Sequence, residues 1–396
     1  MKTALKTKQR AAKKTVATVN RGAGRTIDVL LAARWTAVAE DGDATILALA
    51  DVLPKAGIAA QLWRPFEDRL SEAGCLHLFG TGAEFLPLVE SAHRSGVKVV
   101  LSPELWRDDA HGGAYGRGWL QKTAGWFHKT ARGLFTRTPA WQCELFAAVD
   151  LLLPNSNAEA QRIARRTKVS MSRLRVIPHG VDPRLAEADP QPFLRKAGVR
   201  DFVLYAGAIE PKNQQLGFLW AMKNAGVPLV VLGDVAAGCE WYLEECRRVA
   251  GTGTQFVARQ AIDEGLLASA FTACGCLVVG GGVPAGERIA LKAGASGTPL
   301  VLFDGGCGSE YFGQQAIYVR PDDVADIRRG VLAALERKRS KSLAEHVCTY
   351  FSWTAVARAM RAAYGRAGHP GYPVLRVAGR GHADTPAIET VGKRRP

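Results

Sequence analysis

The chain has 396 residues, 47% of them hydrophobic, and a formal net charge of +15, a length and composition that suit two buried cores rather than one and exclude a disordered protein. No apolar run approaches the roughly 18–20 residues that cross a bilayer, and the N-terminus lacks the apolar centre of a secretion signal, so a cytoplasmic protein is expected. The eight cysteines are scattered, with no C-x-x-C pair and no histidine at zinc-ligand spacing; they read as reduced thiols, and neither a metal nor another cofactor is expected.

The elements follow in chain order. Residues 1–26 hold eight Lys/Arg and no acid, and read as a mobile basic tail. Apolar runs at 28–34, 57–63, 75–79, 97–102 and 149–154 then alternate with helical patterns near 43–56, 83–95 and 117–136. Continuous apolar runs of this length are how strands of a parallel sheet read, since both of their faces are covered. In PNSNAE, Ser156 followed by Glu159 forms a capping box that opens a helix over 157–167. The stretch RVIPHGVDPRL carries Pro178, Gly180 and Pro183, breakers that mark the junction between two halves.

A second series of strands follows at 202–207, 228–233, 276–281, 299–304 and 316–319, with helices near 213–225, 240–249, 263–273, 286–296 and 323–337. Two β/α series imply two doubly wound domains, over 27–180 and 181–350. Ser352 caps a last helix, within 351–368, whose Trp353, Val356, Ala357, Met360 and Tyr364 recur on one face and need a large partner. Residues 369–396, rich in Gly, Pro and Arg, read as a second mobile tail; with the first it carries 11 of the 15 net charges.

A third concentration of charge is internal. Residues 115–138 interleave Arg117, Lys122, Lys129, Arg132 and Arg137 with Trp119, Trp126, Phe127 and Phe135. The row Trp119, Lys122, Trp126, Lys129 mixes aromatics and cations on one helical face, so a solvated helix docking its aromatics inward competes with peripheral contact to an anionic membrane. No zinc finger, RNA-recognition signature or basic zipper appears, and no specific nucleic acid partner is expected.

Candidate chemistry gathers at the carboxyl ends of the second series, where open parallel sheets bind ligands. The first four of the five ends are glycine turns: Gly207, Gly233-Asp234, Gly280-Gly281-Gly282, and Asp304-Gly305-Gly306-Cys307-Gly308. Backbone N–H groups at the third and fourth turns, at helix starts, would favour an anion, and a diphosphate is expected there, with Lys212 adding a full positive charge. The plainer alternative is that these glycines only make tight turns. In the first half, Arg34, Trp35, Gly42 and Asp43 follow the first strand and could contact an acceptor, against the reading of a solvated loop. His77, within CLHLF, reads as a core histidine, and His179 as a junction residue.

YAGAIEPKNQQLGFLWAM (205–222), PLVVLGD (228–234), GERIALKAGASGTPLV (286–301), SEYFG (309–313), YVRPDD (318–323) and FSWTAVARAMRAAY (351–364) resemble the nucleotide-sugar half of family 4, or group 1, glycosyltransferases. Upstream, EDGDATILALADVLPKAGI (40–58), CLHLFG (75–80), VVLSPELW (99–106), LLLPNSNAEAQRIAR (151–165) and RVIPHGVD (175–182) resemble the acceptor half. The resemblance runs in order over 28–366. It implies the α/β GT-B fold: two Rossmann-like domains across a cleft, with the final helix crossing back to the first. It also implies transfer of a sugar from a nucleotide-sugar donor to a saccharide or glycolipid acceptor, with retention and without a bound metal. By position, Gly207 and Lys212 match the diphosphate turn, 280–282 the loop beneath the sugar, and Glu310 an acidic position ahead of the next helix.

Three positions depart from that pattern. Ala208 stands where the family has Arg, and Pro284 and Lys292 stand where it has two glutamates, one touching the donor sugar and the other the ribose. Lysine donates and cannot accept, so it cannot hold ribose hydroxyls as a carboxylate does. Glu287, near the first helical turn, can substitute from a shifted position; or Lys292 faces a donor with extra negative charge; or the chain is a non-catalytic relative that binds a glycan or a partner.

Overall fold

The structure, a computed structural model, describes residues 27–33, 42–104, 138–281 and 284–367. The expectations for the two tails, for Arg34 and Trp35, for Gly282 and for the basic-aromatic segment 115–138, save its last residue, lie outside the described residues.

The first sheet is built from β1 (Ile27–Ala33), α1 (Gly42–Lys55), β2 (Ala60–Leu62), β3 (Ala73–Phe79), α2 (Phe85–Arg94), β4 (Lys98–Ser102), α3 (Ala140–Ala148) and β5 (Leu151–Leu152), followed by α4 (Asn157–Thr167). Its strands are all parallel, in the order β2-β1-β3-β4-β5. Val29, Leu30, Cys75, Leu76, Val99 and Val100 are fully buried because helices cover both faces of the sheet. Ser156 caps α4 as expected, its hydroxyl accepting from Glu159 N at 3.1 Å. The Glu159 carboxylate reaches one residue further back than a standard capping box, accepting from Asn155 N at 2.7 Å.

The second sheet comprises α5 (Gln191–Ala197), β6 (Val203–Ala206), α6 (Gln215–Met222), β7 (Leu229–Leu232), α7 (Glu240–Val249), β8 (Thr254–Val257), α8 (Glu264–Ala273), β9 (Cys276–Val279), α9 (Pro284–Ala295), β10 (Leu300–Phe303), α10 (Gly308–Phe312), β11 (Ile317–Val319), α11 (Val324–Leu335) and α12 (Lys341–Tyr350). The strand order is β11-β10-β9-β6-β7-β8, all parallel. Building outward from β6 first one way and then the other puts a topological switch between β6 and β9, where two crossovers leave a crevice. The turns after these strands begin at Gly207 and Gly280. Strand β8, at the sheet edge and only half-buried, is absent from the sequence reading.

The closing helix α13 (Trp353–Arg366) leaves the second domain and packs on the first, with Val356, Ala357, Met360, Ala363 and Tyr364 buried against Val29, Leu31, Leu49 and Leu53. Ser352 caps it, accepting from Ala355 N at 3.3 Å. The chain therefore crosses between domains twice, and the two crossings are tied: Val181 N donates to Phe351 O at 2.8 Å and Trp353 N to Val181 O at 3.2 Å. A side chain at Gly180 would run into the Trp353 ring. His77 locks α13 from below, with Nδ1 2.8 Å from Tyr364 Oη and Nε2 2.9 Å from Ser102 Oγ. Burial pushes its imidazole down to about 3, so it is neutral near pH 7, as a core histidine should be.

Candidate functional site

The carboxyl ends of the second sheet do converge, and glycine is what lets them. Gly207 has φ +153°, which residues with side chains rarely adopt. A Cβ at Gly233 would land on the Gly207 carbonyl, and one at Gly280 on Tyr205 Oη and the Asn213 carbonyl. Gly281, at φ +77°, would press a Cβ to within 2.7 Å of Asn213 Oδ1. The first requirement on these glycines is thus that the turns pack against one another.

The turn after β6 is fixed from within. Asn213 Nδ2 and Gln215 Nε2 both donate to Ala208 O, at 2.8 and 2.6 Å, and Ile209 N donates to Asp234 O at 2.8 Å. Lys212 sits on this turn with its ammonium 3.2 Å from Glu210 Oε1 and its side chain 39% exposed. Glu210 is only 15% exposed and also accepts from Asn213 Nδ2 at 3.1 Å, so the lysine is the more mobile half of the pair and can turn toward a ligand anion while Glu210 keeps a partner. Gly305 is less available: its amide donates to Asp304 Oδ1 at 2.8 Å. Gly306 lies half-buried in the following turn.

Between the third and fourth ends lies a small crevice lined by Gly281, Gly286, Glu287, Phe303 and Gly308. Glu287 lines it and is 6% exposed. Its carboxyl receives hydrogen bonds from its own backbone amide and from Cys307, while Oε2 has no partner. Burial raises it from the ordinary 4.5 to about 7, outweighing those hydrogen bonds, which alone would lower it. A buried carboxyl with one free oxygen, half-ionised near neutral pH, can accept from a hydroxyl or exchange a proton. The Cys307 thiol is driven up by burial and by the neighbouring Glu287 charge, so it stays a thiol.

Lys292, on the same helix, forms an ion pair with Glu264 at 3.1 Å, and Arg259 holds the other oxygen of that carboxylate. Its charge is therefore already balanced by a protein carboxylate. Pro284 opens α9.

Glu310, expected among the donor-binding residues, has a different engagement. Its carboxylate accepts from Asn157 N at 2.6 Å and Ala158 N at 2.8 Å, the first two amides of α4 in the other domain. Tyr311 Oη donates to Asn155 O at 2.8 Å and accepts from His179 N at 3.1 Å. These contacts depend on how the domains meet, and no local pattern in the sequence signals them.

On the first-domain side, a crevice of about 30 Å³ is lined by Thr45, Ser102, Glu104, Asn155, His179 and Trp353, among others. Both polar atoms of the Asn155 side chain and Nε2 of His179 are buried and partnerless. His179 is held well below its ordinary value by burial, so it is neutral. Arg288 faces Glu104 across the cleft at 3.5 Å; burial raises the Glu104 carboxyl and Arg288 opposes the rise. Gly42 and Asp43 open α1, whose Thr45 reaches this crevice. Glu104 and Asn155 had no sequence signal beyond lying next to a strand or helix end, and Arg288, inside α9, had none. No described helix is long and apolar enough to cross a membrane.

No known protein family matches the chain, and no curated protein is similar to it in sequence. Solved structures do match in fold. A glycosyltransferase from Rickettsia africae is 11% identical with a TM-score of 0.61, covering 87% of this chain and 99% of its own. Anabaena HepE in complex with UDP and glucose is 11% identical with a TM-score of 0.62, covering 85% and 98%. Sucrose-phosphate synthase from Thermosynechococcus elongatus is 16% identical with a TM-score of 0.61, covering 86% and 99%. Identities this low carry the fold alone: two Rossmann-like domains in the GT-B arrangement.

Proposed function

We propose that the chain is a glycosyltransferase that moves a sugar from a nucleotide-sugar donor to a saccharide or glycolipid acceptor, with retention. The observation that carries this reading is the Glu287 carboxyl, with its free Oε2, set in a crevice between glycine turns at the end of the second sheet. The GT-B fold adds support, as does the binding of UDP and UDP-glucose by the fold-matched HepE.

The donor diphosphate would lie at the switch between β6 and β9, beside Gly207, Gly280 and Gly281. Lys212 would leave Glu210 and stabilise the charge that develops as the nucleotide departs. Glu287 would take a hydroxyl of the transferring sugar, its position compensating for Pro284 and Lys292. The acceptor would approach from the first domain, through the crevice of Asn155, His179 and Glu104; Arg34, Trp35, Gly42 and Asp43 are further proposed acceptor contacts. No metal or other cofactor is needed for these roles. The protein would work in the cytoplasm, with 115–138 as its contact to an anionic membrane when the acceptor is a glycolipid.

A second reading, a non-catalytic relative that binds a glycan or a partner, is favoured by Lys292 and its ion pair with Glu264. Thermal unfolding with UDP, GDP, ADP and their sugars tests both. Stabilisation by one nucleotide series, lost in Lys212→Ala, together with turnover of the sugar form, supports the transferase. Stabilisation without turnover on any saccharide supports the binder, and a flat response across the panel removes the donor pocket from both.

A further inference from the structure

Helix α4 belongs to the first domain, yet its N-terminus is completed by the second. The opening amides of any helix lack partners within it and must find acceptors elsewhere. Here Ser156 takes the third, while Glu310 takes the first and second with one oxygen each. A carboxylate is the favoured occupant, since its charge also meets the positive end of the helix dipole. Tyr311 adds a relay beside it, tying Asn155 O to the backbone of His179 through a single hydroxyl. The other end of the same short turn, Cys307, hydrogen-bonds Glu287. Five consecutive residues thus touch the lining of the second-domain crevice at one end and the first domain at the other.

We infer that Glu310 and Tyr311 are positioning residues, a clamp that sets the separation of the two domains and holds the first domain over the crevice beside Glu287. The clamp stands on geometry alone; its consequence for sugar transfer rests on the donor reading above. Asn157 is exposed at this seam, so water can reach the amides that the carboxylate leaves if the domains part. Its loss should leave each domain folded and the cleft wider.

Small-angle scattering and amide hydrogen exchange on the full chain test this, comparing the wild type with Glu310→Ala and Tyr311→Phe. The clamp predicts a larger radius of gyration for Glu310→Ala and exchange at least tenfold faster at Asn157, Ala158 and His179, with strands of both sheets unchanged. Tyr311→Phe, which removes the acceptor of His179 N itself, should speed exchange at His179 and, by a smaller factor than Glu310→Ala, at Asn157 and Ala158. Faster exchange confined to Asn157 and Ala158, with an unchanged radius of gyration, overturns the inference, because capping would then be purely local. Should Glu310→Ala not fold, Glu310→Gln, which keeps one acceptor oxygen, and Tyr311→Phe decide by the same criteria.

Binding of UDP, GDP and ADP separates this idea from the donor reading. Glu310→Ala that loses nucleotide binding while keeping its scattering profile makes Glu310 a ligand contact and sinks the clamp. Opened domains in Glu310→Ala, with a wild type that binds no nucleotide, would keep the clamp and sink the donor pocket.

Discussion

Glu287 and Glu310 stand on either side of the Cys307 turn, in one domain, and their carboxylates are held in opposite ways. Glu310 has a backbone amide on each oxygen; Glu287 has its hydrogen bonds on one side only, with Oε2 bare inside the protein. A fully satisfied carboxylate at a helix start is structure, fixing two elements against each other. A buried carboxyl with an unused oxygen costs stability, and a ligand hydroxyl can relieve that cost. The contrast is what separates the seam of this molecule from its candidate pocket.

The largest effect should come from disturbing the packed turns at the carboxyl edge of the second sheet, in the domain both residues belong to. Gly233→Ala drives a Cβ into the Gly207 carbonyl and should destabilise the protein by about 3 kcal/mol, the upper end of ordinary overpacking, in urea unfolding. A stability within error of the wild type would show that these turns are loosely packed.

Next comes the pH dependence assigned to Glu287. Its folded value is raised to about 7 from 4.5, so the folded state holds a proton that the unfolded chain releases. Stability from this group is fully present below pH 4.5 and is lost as pH rises through about 7, by roughly 3 kcal/mol in all. Glu287→Gln should flatten that segment of the stability profile. An unchanged slope would mean that the carboxyl is ordinary and solvated.

Glu310→Ala should cost about 1–3 kcal/mol, since it leaves two helix amides without their acceptor. A cost near zero would place water there as an equal partner and blur the contrast with Glu287. The smallest change is expected for Lys292→Ala. Its partner Glu264 is 61% exposed, and such a pair contributes about 0–1 kcal/mol. A larger loss, read by the same unfolding measurement, would mean that Lys292 does more than balance Glu264.

Much of the fold was legible because parallel strands and amphipathic helices announce themselves locally. The uninterrupted run VKVVLS became β4, and the apolar stripe of α13 found the first domain as its partner. Strand β8 escaped because TQFV is short and lies half-buried at an edge, without the apolar density of its neighbours. Helices α3, α5 and α12 escaped as well; α3 is apolar nearly all round, so no stripe marks it.

The site was legible only where it is local. The glycine ends and Glu287, one turn into a helix after such an end, could be found by position. Glu310 was also named by position, but its cross-domain role could not be, because its partners lie 153 and 152 residues away in the chain. The pair of Glu104 and Arg288, 184 residues apart, is invisible for the same reason. Spacing in a sequence reports what one element does, and the seam is made by two domains meeting.

The most direct measurement is calorimetric titration of wild type and Glu287→Gln with UDP-, GDP- and ADP-sugars and with the corresponding bare diphosphates. The prediction is that one sugar nucleotide binds the wild type and binds Glu287→Gln at least tenfold more weakly, while its diphosphate binds both alike. Equal affinity of the sugar nucleotide for both proteins, or no binding by any member of the series, would contradict the placement of a donor sugar at Glu287.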